Sequence, residues 1–309
     1  MSAIPIAGRH DPPDPIVPPF PRNYFSIGDV TVELSGETAH DVELGSQLSP
    51  FGCEPRATDI EVRIEWHPHL EASRAKELFH SGSLWTAHER KGRFLFDFTT
   101  ERLGTKPYKR LLADDCFRKA EVWLNREFFS PEEGAFALEY PLDELLITHY
   151  LSLGRGVELH ACGLIHAGGE SFLFVGHSGA GKSTTARLWS RHLGVEVLSD
   201  DRIIIRKNTD RFLMYGTPWH GEAAFASPQQ TPVRQIFVLE HGSENRVERI
   251  PPAAAVGALL ARSFVPFYQP RFVEPVLAWL EELVAAVPCY RFQFVPDRTA
   301  VERILEFRD

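Results

Sequence analysis

The sequence predicts an α/β fold: a P-loop-containing mixed sheet over residues 141–309, preceded by a smaller α+β domain over 22–140 and a proline-rich arm over 1–21. Three observations predict it. Residues Gly176 to Ser183 read G-x-x-x-x-G-K-S, between an apolar run, Phe172 to Val175, and a helical pattern with Ala186, Trp189 and Leu193 on one face and Gly194 as its stop. A second apolar run, Val195 to Leu198, follows and ends in two aspartates. Upstream, Val30, Val32, Leu34 and then Ile60, Val62, Ile64 alternate with the period of half-buried strands.

In order along the chain, Pro5, Pro12, Pro13, Pro15, Pro18, Pro19 and Pro21 remove amide donors too often for helix or sheet, which predicts an extended or disordered arm. Strands are expected from Tyr24 onward, with further short ones at Phe94 to Phe98 and Ala120 to Trp123, and a helix over Leu70 to Phe79. Lys106, Lys109 and Arg110 read as a solvated charged face. Pro141 to Leu153 predicts a helix, with Leu142, Leu145, Leu146, His149, Tyr150 and Leu153 at helical spacing and Asp143 and Glu144 in the first turn, where the helix dipole favours anions. A strand pair over Val157 to Leu164 and Ser171 to Val175 leads into the glycine-rich loop, and the helix after it runs to about His192. Strands are expected again at Ile203 to Arg206, Arg211 to Tyr215 and Gln235 to Glu240, and helices at Ala253 to Ser263 and Glu274 to Val287.

With 309 residues, 43% of them apolar, the chain can bury a substantial core. A net charge of -9 argues against broad nucleic-acid or anionic-membrane contacts, because neutralising phosphates requires excess Lys and Arg. The longest uncharged apolar run, Pro251 to Ala261, falls short of the roughly 20 residues a bilayer-crossing helix needs. Prolines and acids stand near the N-terminus where a signal peptide needs an apolar stretch, so a cytoplasmic location is expected. Cys53, Cys116, Cys162 and Cys289 form no CxxC pair, and reduced thiols are expected rather than a disulfide framework or a zinc site. The oligomeric state stays open, a homo-oligomer included.

The loop carries the chemistry. Gly176, Gly179 and Gly181 let the backbone wrap a phosphate, with His177, Ser178, Ala180 and Thr184 completing the run. Lys182 would reach the β and γ phosphates and Ser183 would ligate magnesium, so ATP and Mg2+ are the expected ligands. Asp200 and Asp201 end the next strand, where one can hold the metal and the other act as base; a solvated turn is the alternative.

The sequence His160-Ala-Cys-Gly, then GHSGAGKST at 176–184, then LSDD at 198–201, resembles the catalytic domain of HPr kinase/phosphorylase and its relatives, which belong with the phosphoenolpyruvate carboxykinases. The resemblance covers about 155–210, and Gly216-Thr-Pro-Trp-His-Gly-Glu222 is similar to a segment of HPr-kinase-related proteins. It implies a sheet of that type, with Lys182 and Ser183 on phosphate and metal, Asp200 and Asp201 sharing the roles of metal ligand and base, and His160 beside the transferred phosphate. Thr184 stands where HPr kinase has Glu, and the family's arginine-rich segment is missing, which points away from HPr as substrate.

Other residues have smaller claims. Trp219, His220 and Glu222 could line a pocket; His166 and His177 are lesser candidates; Arg187, Arg202, Arg262 and Arg271 are unranked phosphate clamps. The expected function is a magnesium-dependent kinase acting on a hydroxyl, a seryl one by preference, of a protein, peptide or small molecule. The rival is a non-catalytic ATP-binding switch protein. Carboxykinase chemistry ranks last, because no full carboxylate-binding set is recognisable.

Overall fold

The computed structural model of the chain describes residues 20–82, 84–132 and 136–308, so most of the proline-rich arm lies outside the described residues. The first sheet has eight strands: β1 (Arg22–Ile27), β2 (Val30–Ser35), β3 (Ile60–His67), β4 (Lys76–His80), β5 (Trp85–Arg90), β6 (Arg93–Thr100), β7 (Gly104–Ala113) and β8 (Lys119–Asn125). Their order is β1-β2-β3-β8-β7-β6-β5-β4, parallel at β2/β3 and β3/β8 and antiparallel elsewhere. Alternation sets the faces. Ile60, Val62 and Ile64 are buried while Glu61 and Arg63 between them are exposed, and Gly28 and Asp29, both at positive φ, make the two-residue turn between β1 and β2.

No α-helix occurs among the described residues of 22–140, so the α+β expectation for that part is corrected to a β-sheet with two 3-10 turns. The helix expected over Leu70 to Phe79 is an extended segment followed by β4. Tertiary contacts override the helical pattern, because its backbone is claimed by the sheet: Ser73 N donates to Asp97 Oδ2 at 2.9 Å and Arg110 donates to the Glu71 carbonyl at 2.6 Å. The solvated reading of Lys109 and Arg110 is corrected too. Lys109 is buried, with Nζ 2.9 Å from Glu139 Oε1 and 2.8 Å from the Phe136 carbonyl. Burial pushes its ammonium pKa down against the pull of Glu139. Arg110 is bound by both oxygens of Asp97, at 2.5 and 2.9 Å, the bidentate pairing a buried guanidinium needs.

The second sheet has nine strands: β9 (Val157–His166), β10 (Glu170–Val175), β11 (Glu196–Ser199), β12 (Arg202–Asn208), β13 (Arg211–Tyr215), β14 (Gln230–Pro232), β15 (Ile236–His241), β16 (Arg246–Arg249) and β17 (Cys289–Phe294). The order is β14-β13-β12-β9-β10-β15-β17-β16, and β11 also pairs with β9. Only β10/β15 and β15/β17 are parallel. Among the described residues five α-helices accompany it: α1 (Leu142–Leu151), α2 (Lys182–Trp189), α3 (Pro252–Leu260), α4 (Pro270–Ala286) and α5 (Arg298–Glu306). The helix after the glycine-rich loop therefore ends at Trp189, sooner than its apolar pattern suggested.

Period-two alternation divides the core. From β9 and β10, Leu159, Ala161, Leu173 and Val175 join a large apolar cluster with α1, with the buried stripe Phe272, Val276, Trp279, Leu280 and Leu283 of α4, and with the first sheet. Cys162, Leu164, Phe172 and Phe174 point the other way, into a second cluster with Ala186 and Trp189 of α2 and Ala300, Val301 and Ile304 of α5. The four cysteines are free.

Candidate functional site

The site grows from the ends of β9, β10 and β11. At the end of β10 the chain turns through Gly176 to Gly181 and enters α2 at Lys182. Gly179 and Gly181 have φ of 79° and 99°, values that disfavour any side chain, and a Cβ on Gly181 would lie 2.5 Å from the Phe294 ring. The coil is pinned by Gly176 N donating to the His160 carbonyl at 3.1 Å, by Ala180 N donating to the His177 carbonyl at 3.0 Å, and by a 2.8 Å bond between His241 Nε2 and the Gly179 carbonyl. His177, Ser178 and Gly179 are exposed at its rim, while Ser183 and Thr184 are half-buried in the first turn of α2.

Lys182 is buried at the centre of this coil, its Nζ 3.1 Å from the His177 carbonyl. Burial lowers its pKa to about 8, against the pull of Asp201. The first amides of a helix lack intrahelical acceptors, so the coil and helix start present donors beside an ammonium group.

Asp200 and Asp201 follow β11 directly. Asp200 is fully buried beneath the loop. Its Oδ2 accepts from the Ser183 hydroxyl at 2.9 Å and from Ala223 N at 3.0 Å, and its Oδ1 accepts from Gly221 N at 3.0 Å and Phe225 N at 3.3 Å. The backbone at 221–225 thus folds around one carboxylate, and a Cβ on Gly221 would lie 2.8 Å from Asp200 Oδ2. Asp201 faces outward, its side chain 24% exposed. His160 Nε2 lies 2.8 Å from its Oδ1, and Arg202 holds its Oδ2. Burial would raise the Asp201 pKa, but the His160 hydrogen bond and the Arg202 charge outweigh it and hold the group below the ordinary carboxyl value.

Arg202 is fixed in turn by Glu144 Oε1 at 2.6 Å from Nε, by Glu158 Oε1 at 3.5 Å, and by the Phe264 ring, whose centroid lies 4.0 Å from the guanidinium carbon. Glu158 is fully buried, and burial together with Glu144 pushes its carboxyl pKa up. Asp201 and Arg202 open onto a polar cavity of about 260 Å³, together with Gln47, Tyr140, Trp219 and His220. Trp219 is itself buried and anchored by Nε1 donating to Asp143 Oδ2 at 3.0 Å.

The structure therefore brings together Gly176 to Thr184, Asp200, Asp201 and His160. It also ranks the arginines. Arg202 is locked among carboxylates, Arg187 bonds the Glu222 carbonyl, and Arg271 bonds the Asp115 carbonyl. Arg262 lies next to the loop: its own carbonyl accepts from His160 N at 2.8 Å, and its charge is the main cause lowering the His177 pKa. Its guanidinium donates to the Ala258 carbonyl at 2.8 Å, while Nε is buried without a hydrogen-bond partner. Of the 216–222 segment, Trp219 and His220 line the cavity, whereas Glu222 is exposed, and His166 pairs with Glu170 on the β9–β10 hairpin. Sequence reasoning missed Gln47, Tyr140 and Glu144, which lie outside the motifs, and Glu158, two residues before His160, where an acid in an apolar strand gave no sign of its partner Arg202. Only the acidic start of α1 hinted at one of them.

Magnesium fits the oxygens present. Among the described residues no three His, Cys, Asp or Glu side chains are grouped to hold a metal. Magnesium, however, needs only one or two hard oxygen ligands from the protein when phosphates supply others, and Ser183 Oγ and Asp200 Oδ2 lie 2.9 Å apart under the loop.

No protein-family model matches the chain, and no curated protein matches it. Among solved structures, the Hpr(Ser) kinase/phosphatase from Coxiella burnetii is similar over 48% of this chain and 90% of that one, with 17% identity and a TM-score of 0.25. Such a likeness amounts to a distant relationship at most.

Proposed function

We propose that this chain is a magnesium-dependent phosphotransferase that moves the γ-phosphoryl group of ATP to a hydroxyl, a seryl one by preference. The observation that carries the reading is the division of labour between neighbours: Asp200 sits buried against Ser183 under the glycine-rich loop, while Asp201 faces a separate polar cavity. A nucleotide site and an acceptor site would then meet at one dipeptide.

In this reading the loop amides and Lys182 would bind the triphosphate, and Ser183 and Asp200 would hold magnesium, whose charge would offset that of the phosphates. The acceptor hydroxyl enters from the cavity side. Asp201 takes its proton as the acceptor oxygen bonds to the γ-phosphorus and the bond to the β,γ-bridging oxygen breaks, giving a phosphate ester and ADP. Each carboxylate oxygen has two lone pairs, so Asp201 can accept this proton while bound to His160 and Arg202. His160 orients Asp201, the Glu144 and Glu158 carboxylates hold Arg202 in place, and Arg262 adds positive charge beside the loop.

The test is incubation of the protein with γ-labelled ATP, magnesium and a lysate of its source cells. Label is expected in an acceptor as an acid-stable phosphate ester. Slow hydrolysis that no acceptor accelerates would favour the nucleotide-switch alternative instead.

A further inference from the structure

Beyond Tyr140 and Arg202 lies a second cavity, of about 380 Å³, between the first sheet and a helix-linking segment: Phe79 and Trp85 come from β4 and β5, and Phe264, Phe267 and Tyr268 from the chain between α3 and α4. It shares Tyr140 and Arg202 as lining residues with the cavity at Asp201, so the two lie side by side. The walls are aromatic. Phe79 stacks on Tyr268 with centroids 5.4 Å apart and lies 5.3 Å from Trp85. Eight large apolar side chains are exposed among the described residues, and four of them, Phe79, Leu84, Tyr140 and Phe267, rim this cavity. Such clustering marks a binding surface rather than random exposure. The charges nearby, Arg202 and Glu144, neutralise each other, which leaves the recess suited to an uncharged apolar group.

We infer that this cavity recognises an aromatic or large aliphatic group carried by the phosphoryl acceptor, which thereby sets its hydroxyl at Asp201. The inference rests on the phosphotransferase reading and narrows its substrate class: the acceptor is amphiphilic, with a hydroxyl at one end and an apolar anchor at the other. A recess of this size suits one such side group, and burying it supplies binding energy in proportion to the apolar area removed from water.

The test uses the full chain with magnesium and a non-hydrolysable ATP analogue. The probes are N-acetylated tetrapeptide amides with one serine and, at each other position in turn, phenylalanine, leucine or aspartate; N-acetylphenylalaninol is the small-molecule arm. Calorimetry is expected to show the best phenylalanine or leucine probe binding at least tenfold tighter than its aspartate counterpart. The ratio is expected to fall below threefold in the Leu84→Ser, Phe267→Ser double variant, which changes two exposed side chains and is expected to keep the wild-type Tm. Tight binding of the alcohol alone would identify a small-molecule acceptor, and tight binding of peptides alone a peptide; both support the cavity. Equal binding of all probes, or a preference that survives the double variant, overturns the inference. A tenfold loss of magnesium-ATP affinity in the double variant would assign the cavity to the nucleotide base and overturn it as well. Labelled transfer to the same probes separates the two readings: cavity-dependent binding without transfer removes the phosphotransferase, and transfer without preference removes the cavity.

Discussion

Asp200 and Asp201 are neighbours in the chain and opposites in environment. Asp200 is closed in by three backbone amides and the Ser183 hydroxyl, whereas Asp201 keeps contact with solvent between His160 and Arg202. A carboxylate held by fixed donors suits a structural task, and a metal-holding one once the Ser183 hydroxyl turns its oxygen to the metal and frees a lone pair on Oδ2; a base needs a path to its substrate.

Asp201→Asn is therefore expected to slow phosphoryl transfer by about 10²- to 10⁴-fold while magnesium-ATP affinity stays within about threefold. Asp200→Asn turns an NH2 group toward backbone N–H donors. It is expected to cost about 1–3 kcal/mol of stability and to raise the magnesium requirement. Rates on the acceptor found by labelling, magnesium titrations and urea melts check both. Wild-type rates in the two variants would end the paired-aspartate mechanism.

Lys182→Met removes the ammonium group from the coil. Magnesium-ATP affinity is expected to fall more than tenfold by calorimetry, with the Tm kept or raised because a buried charge is lost. Unchanged affinity in a folded variant would take the loop out of nucleotide binding.

Arg262→Met is expected to slow transfer by about 10- to 100-fold, if its charge meets the transferred group as a hydrogen-bonding cation. A second readout is independent of catalysis. Since Arg262 is the leading cause of the low His177 pKa, NMR titration is expected to show the His177 pKa rising in the variant; no movement would separate Arg262 from the loop.

Asp143, which anchors Trp219, is buried, and burial raises its pKa to about 6. A raised carboxyl pKa means a stability contribution complete below about pH 4 and lost as the pH climbs through 6. Relative to wild type, Asp143→Asn is expected to gain stability with rising pH, by up to about 3 kcal/mol at pH 8, since each tenfold change in proton affinity is worth about 1.4 kcal/mol. Urea melts at pH 4.5, 6 and 8 measure it. A difference that shrinks with pH contradicts the assignment.

The loop and its flanks were legible because their signals are local: glycines at fixed spacing, an apolar strand before and a helix after. The sequence placed Asp200 and Asp201 at the end of a strand and left their two roles unassigned. It did not reveal which was closed, because the amides that close Asp200 come from Gly221, Ala223 and Phe225. The misreading of Lys109 and Arg110 has the same origin. Their partners, Glu139 and Asp97, lie 30 and 13 residues away, and a charge run with unseen partners looks solvated. The cavities escaped for a further reason, since Gln47, Phe79 and Tyr140 meet the site only through the packing of the first part of the chain against the second.

That packing bears on how far the chain is modular. One apolar cluster runs from Phe25 of β1 to Cys289 of β17, through Leu159, Leu173 and the α4 stripe. A fragment cut at residue 141 would keep every residue of the glycine-rich loop motif, yet it would expose the apolar surface that the first part of the chain covers and lose Gln47, Phe79 and Tyr140 from the recess. Recombination that exchanges the first sheet would have to preserve both a hydrophobic seam and the walls of the recess, so the shape of the recess and the covering of the core are inherited together.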